Sequence, residues 1–123
     1  MKRPVSNVRP IALVVEDEPL VEMEAIDLLN DLGYAAIGAR NADEAVLILR
    51  ARPDVSLVFT DIEMPGTMNG LALAALIEAT WPHIQILITS GRVMPPNRQM
   101  VGNACFVAKP YSGSQVELAL GSL

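Results

Sequence analysis

Hydrophobic positions along this chain follow two different periods. Five short runs are apolar almost throughout: Ile11 to Val15, Tyr34 to Ala39, Val55 to Thr60, Ile84 to Thr89 and Ala104 to Ala108. Runs of this length without polar alternation read as strands covered on both faces, the habit of a parallel sheet. Between them the apolar residues recur at helical spacing. Val21, Ala25, Leu28 and Leu32 form one stripe, which begins after Pro19 in a first helical turn and stops at Gly33. Asn41 and Glu44 have capping-box spacing ahead of a helix that buries Ala45, Val46 and Leu49 and ends at Pro53. A helix rich in Ala and Leu follows from Leu71 to Thr80, closed by Trp81-Pro82, and a final one covers Ser114 to Leu120. The stretch Gly91 to Asn103 holds Pro95-Pro96 and predicts only a short or irregular helix between the fourth and fifth strands. Strand and helix alternate, which predicts an α/β fold with a doubly wound, five-stranded parallel sheet. Residues 1–10 read as a loose leader before a single domain over 11–123.

The strand ends carry the candidate chemistry. The first run stops at Glu16, Asp17 and Glu18, the third at Asp61, the fourth at Thr89 and the fifth at Lys109-Pro110. In parallel sheets, ligand sites lie at the carboxyl ends of the strands, so these residues share one rim. Crowded carboxylates either raise one another's pKa or hold a cation. No Cys or His accompanies them, and an all-oxygen donor set favours Mg²⁺, Ca²⁺ or Mn²⁺ over zinc. Mg²⁺ commonly completes its shell with phosphate oxygens. Lys109 adds a mobile positive charge suited to a phosphoryl group, and Thr89 a hydroxyl that can donate to it. Carboxylate, metal, lysine and hydroxyl together describe phosphoryl transfer, with an aspartate able to act as covalent acceptor. Glu18 opens a helix and suits its dipole, so it reads as a solvated charge.

Composition narrows this picture. With 51% hydrophobic but only 4% aromatic residues, the core must be aliphatic. A net charge of −5 argues against non-specific binding to nucleic acid or anionic lipid, and Lys2, Arg3 and Arg9 are too sparse to reverse it. No apolar stretch reaches the roughly 20 residues of a membrane span. The single cysteine, Cys105, excludes an intramolecular disulfide and fits a reducing cytoplasm. Cys105 and Trp81 read as packing residues and His83 as a surface histidine, while Met94 and Met100 either pack the 91–103 stretch or line a partner groove.

The motifs VVEDEP at 14–19, DIEMPGTMNG at 61–70, LITSG at 87–91 and FVAKPY at 106–111 resemble those of the bacterial response-regulator receiver domain, in order and at nearly the family's spacing. The resemblance implies a flavodoxin-like strand order 2-1-3-4-5 and a stand-alone, chemotaxis-receiver-like signalling domain, not an enzyme with a separate substrate. It makes Asp61 the acceptor of a phosphoryl group from a sensor histidine kinase, a hybrid kinase or a phosphotransfer protein. Asp17 and Asp61 would ligate Mg²⁺, Glu16 would help through metal-bound water, and the Glu63 backbone carbonyl would be a further ligand. Lys109 would pair with the phosphoryl oxygens ahead of a cis Lys109-Pro110 bond. Thr89 and Phe106 would form the switch pair, with Ser90 in a small-residue position and Glu63 and Gly91 tuning phosphate lifetime. The output would be a downstream protein contact, a phosphate relay or a phosphate sink, with a phosphorylation-dependent dimer among the expected uses. Neither nucleic acid nor membrane is an expected partner, and the expected compartment is the cytoplasm. Two departures stand out: the gap from Thr89 to Lys109 is slightly short and contains Pro95-Pro96, and no output domain is visible. Two rival readings are a phosphate-independent adaptor and an aspartate-nucleophile phosphatase. For the phosphatase, Glu63 occupies the second-acid position but no threonine follows until Thr67.

Overall fold

The computed structural model describes residues 8–64, 66, 68–91 and 104–121. The five apolar runs pair as β1 (Ile11–Val15), β2 (Ala35–Ala39), β3 (Val55–Asp61), β4 (Gln85–Ser90) and β5 (Ala104–Ala108). They form one sheet in the order β2-β1-β3-β4-β5, every pair parallel. Among the described residues, the intervening stripes fold as α1 (Pro19–Asp31), α2 (Ala42–Ala51), α3 (Gly70–Thr80) and α4 (Gly113–Gly121). This is the predicted doubly wound architecture. The irregular helix expected between β4 and β5 falls at 92–103, outside the described residues, as do Met94 and Met100.

Element ends follow local chemistry. Tyr34 stays outside β2, its N–H donating to Leu29 O at 3.0 Å, because the turn through Gly33 (φ 103°) folds the chain back onto α1. Ile84 likewise stays outside β4, bonded to Trp81 O at 3.0 Å. The stripe of α1 is rotated from the predicted one: Ala25 and Leu29 are its buried residues, while Val21, Leu28 and Leu32 flank them half-buried. Asn41 caps α2 by accepting from Glu44 N–H at 2.8 Å, but the Glu44 carboxylate accepts from Arg40 N–H, one residue beyond the cap, so the box does not close. A reciprocal box is instead found at α4, where Ser112 and Gln115 exchange side-chain to backbone bonds of 2.8 and 3.2 Å. Asn69 caps α3 through Ala72 N–H at 2.9 Å.

Period-two alternation along each strand splits the core between the two sheet faces. Leu13, Val15, Val58, Ile86 and Ile88 pack with Leu49 of α2 and with Leu73 and Ile77 of α3. Val14, Leu57, Phe59, Leu87 and Val107 pack with Ala25 and Leu29 of α1 and with Val116 of α4. Trp81 and Cys105 serve this packing, one on each face, and His83 is exposed with a ring nitrogen 3.0 Å from Pro53 O.

At Gly70 the N-terminus of α3 approaches the chain leaving β3 so closely that an added Cβ would collide with the Asp61 carbonyl and Ile62 Cα, both backbone. At Gly38 the obstruction would be the carboxyl end of the Glu22 side chain, which can swing away. Gly70→Ala is therefore expected to lower unfolding free energy by about 3 kcal/mol and Gly38→Ala by about 1 kcal/mol or less, measured by urea denaturation. Equal losses would contradict this account.

Candidate functional site

The same alternation that divides the core decides where the polar strand ends point. Asp61 shares a strand face with Phe59, Thr89 with Leu87, and Glu16 and Lys109 continue the sides of Val14 and Val107. All four side chains therefore emerge on the α1/α4 face, and the ladder sets Asp61 directly beside Thr89. Ile62 N–H donates to Thr89 O at 2.9 Å and Lys109 N–H to Ser90 O at 2.9 Å, which brings the ends of β3, β4 and β5 level.

Both oxygens of the Asp61 carboxylate are held. Oδ2 accepts from Lys109 Nζ at 2.6 Å, and Oδ1 accepts from the Glu63 backbone N–H at 3.1 Å. The Lys109 ammonium also lies 3.6 Å from Glu16 Oε1, and Glu16 Oε2 accepts from Glu18 N–H at 3.2 Å. Glu16 and Asp61 are each only 5% exposed, so two buried carboxylates share one cation. Burial raises the Glu16 pKa most; the Glu18 N–H and Lys109 oppose this, the Asp61 and Asp17 carboxyls add to it, and the result is about 7. Burial works against the Lys109 ammonium, but the hydrogen bond and charge of Asp61 and the charge of Glu16 outweigh it and hold its pKa above the usual lysine value.

Glu16, Asp61, Thr89 and Lys109 thus converge as the sequence predicts. Asp17 adjoins Glu16 but is exposed, and among the described residues no three acidic, histidine or cysteine side chains are already gathered as a metal cage. Thr89 is buried, and its Oγ1 has no hydrogen-bond partner among the described residues. A cavity of about 10 Å³ beside it is lined by Glu16, Phe59, Asp61 and Tyr111 among others. Phe106 sits across from Ile88 and packs on the α2/α3 face, opposite to Thr89. The Lys109-Pro110 bond is cis.

Two residues that the sequence places only by motif position, Tyr111 and Ser90, make contacts at the site that it does not disclose. Tyr111 packs edge-on against Phe59 at 5.4 Å and walls the small cavity; a motif position alone does not disclose that contact. Ser90 donates from Oγ to Glu63 Oε2 at 2.8 Å, a contact across 27 residues that no local pattern encodes.

With this geometry in view, comparison with known proteins is specific. The family profile of the response regulator receiver domain matches residues 12–120. The chain belongs to that family. This receiver domain is 36% identical over 80 residues to the nitrogen assimilation regulatory protein NtrX of Azorhizobium caulinodans, covering 64% of the chain and 17% of that protein. A receiver protein from Sinorhizobium medicae superposes with TM-score 0.84 at 20% identity, covering 95% of both chains. The CheX-CheY-BeF3-Mg+2 complex from Borrelia burgdorferi gives 0.81 at 21%, covering 92% of this chain and 87% of that one; at such identities the likeness concerns the fold. The receiver spans less than half the length of the curated relatives it first matches, which are named as regulators. None of its described helices is long and apolar enough to cross a membrane.

The folded receiver keeps the Glu16 proton up to about pH 7, whereas the unfolded chain releases it near 4.5. Between those values the native state binds more protons, so stability falls as pH rises through the window and levels off above it. In metal-free buffer the urea midpoint is expected to decline from about pH 5 to about pH 7.5, and Glu16→Gln to flatten that decline. A wild-type profile that rises over the window would contradict the burial argument.

Proposed function

We propose that this receiver accepts a phosphoryl group on Asp61 from the phosphohistidine of a sensor kinase, a hybrid kinase or a phosphotransfer protein, in a Mg²⁺-dependent reaction. The observation that carries this reading is the buried Asp61 carboxylate, held at one oxygen by Lys109 Nζ at 2.6 Å and at the other by a backbone N–H. As the Asp61 oxygen forms its bond to phosphorus, the bond from phosphorus to the kinase imidazole breaks. Lys109 exchanges part of its contact with Asp61 for the arriving phosphoryl oxygens. Its charge is then opposed to the charge that transfer brings in.

The donor chemistry fits a hard divalent ion: three neighbouring carboxyls, one of them with a pKa pushed to about 7 by burial and by its acidic neighbours, gain from a cation. Glu16, Asp17, Asp61 and the Glu63 backbone carbonyl would hold it. Bound there, Mg²⁺ supplies neutralisation of the phosphoryl oxygens. The magnesium named in the Borrelia complex supports the same assignment.

The unpartnered Thr89 hydroxyl is the group that would bond an incoming phosphoryl oxygen. Since Phe106 lies on the opposite face, a switch joining them acts through the β4–β5 pair. The output we propose is a change of protein contacts or a relay of phosphate, in the cytoplasm, without direct contact to nucleic acid or membrane, and with a phosphorylation-dependent dimer among its forms. We take residues 11–123 as the receiver and 1–10 as its leader.

Incubation with acetyl phosphate and Mg²⁺ is expected to add one phosphoryl mass, labile to hydroxylamine, that Asp61→Asn abolishes. An adduct of equal yield in Asp61→Asn would place the acceptor elsewhere. Chelation with EDTA is expected to slow adduct formation at least about tenfold, read as intact mass against time; an unchanged rate would remove the metal from the reaction.

A further inference from the structure

We propose that Ser90 is a positioning residue that draws the Glu63 carboxylate away from the acidic cluster, so that the charge next to the acceptor does not oppose an anionic phosphodonor. The inference rests on the reading of Asp61 as the acceptor.

Four acidic residues lie within the first two residues of the β1 and β3 ends: Glu16, Asp17, Asp61 and Glu63. Among the described residues Lys109 is paired to Asp61 and Glu16 of this group. Glu63 must stay close, because its backbone N–H holds Asp61 Oδ1 at 3.1 Å. Its side chain is a different matter. Ser90 follows Ile88 by two residues on β4, so its hydroxyl emerges on the α2/α3 face, while Asp61, Thr89 and Lys109 belong to the α1/α4 face. The 2.8 Å bond from Ser90 Oγ to Glu63 Oε2 therefore ties the Glu63 charge toward the far side of the sheet. Ser90 is 3% exposed and fixed within the strand, and its own carbonyl accepts Lys109 N–H at 2.9 Å. One residue thus fixes both partners of Asp61: the lysine through the main chain, and the Glu63 loop through the side chain.

Removing the hydroxyl frees a carboxylate two residues from the acceptor. A like charge several ångströms from an anionic donor slows its approach, and the same charge attracts a cation. Two signs then report the single cause. Ser90→Ala is expected to slow phosphorylation by acetyl phosphate at saturating Mg²⁺ about 3- to 10-fold and to tighten binding of Mg²⁺ alone about 2- to 5-fold, the first effect shrinking as salt is raised.

The deciding experiment is a double-mutant cycle of wild type, Ser90→Ala, Glu63→Gln and the pair, read by the phosphorylation rate and by Mg²⁺ titration calorimetry. If Ser90→Ala changes both quantities in opposite directions and changes neither once Glu63 is Gln, the charge-diverting role holds. If the Ser90→Ala deficit survives in the Glu63→Gln background, or both quantities fall together, Ser90 acts by packing and the proposal is overturned. A wild type that forms no adduct removes the acceptor reading, and the Mg²⁺ arm still decides whether Ser90 diverts the Glu63 charge.

Discussion

Everything at the strand-end rim depends on one ion pair. Asp61 is a buried carboxylate beside Glu16, a buried acid whose pKa burial raises to about 7, and burying a charge is tolerable only when a counter-charge and hydrogen bonds accompany it. Lys109 supplies that charge from the end of β5, two places from β3 and three from β1 in the sheet. It can do so because its main chain is fixed to β4 through Ser90 O, within the β4–β5 register. The register is itself imposed by apolar alternation, since a slip of one residue would turn Lys109 away and expose Val107. The hydrophobic pattern that folds the sheet thus also aims the polar residues at one another.

Much of this was legible in the sequence, for identifiable reasons. The strands were readable because Leu13, Val58 and Ile88 interrupt no polar alternation, and the helices because Ala45 and Leu49 repeat at helical spacing. Glu16, Asp61, Thr89 and Lys109 could be assigned to a common rim because each ends an apolar run. Other features were not local. The Ser90–Glu63 bond and the Phe59–Tyr111 contact join residues far apart in sequence. The rotation of the α1 stripe toward Leu29 depends on how that helix lies against β1 and β2. The Ser112–Gln115 box was local and readable, yet it is short and interrupted by glycine, which hid it behind the more conspicuous Asn41 and Glu44.

The two faces of the sheet also divide the labour of the proposed switch. The α1/α4 face carries the proposed acceptor Asp61, Lys109, the buried Glu16 and the Thr89 hydroxyl. The α2/α3 face carries Phe106 and the Ser90 hydroxyl. Polar links between them run through Glu63, whose N–H holds Asp61 while its carboxylate accepts from Ser90, and through β4, where Thr89 and Ser90 are consecutive residues with opposite aims. A strand of this kind can transmit a small displacement at one side chain to the other face, because its two faces share a backbone.

The close approach at Gly70 sets the mechanical boundary of that division. At that contact main chain rests on main chain, with the start of α3 against the peptide that carries Asp61. In the proposed switch helix α3 would therefore be the stator, with any motion that phosphorylation of Asp61 generates delivered on the β4–β5 side.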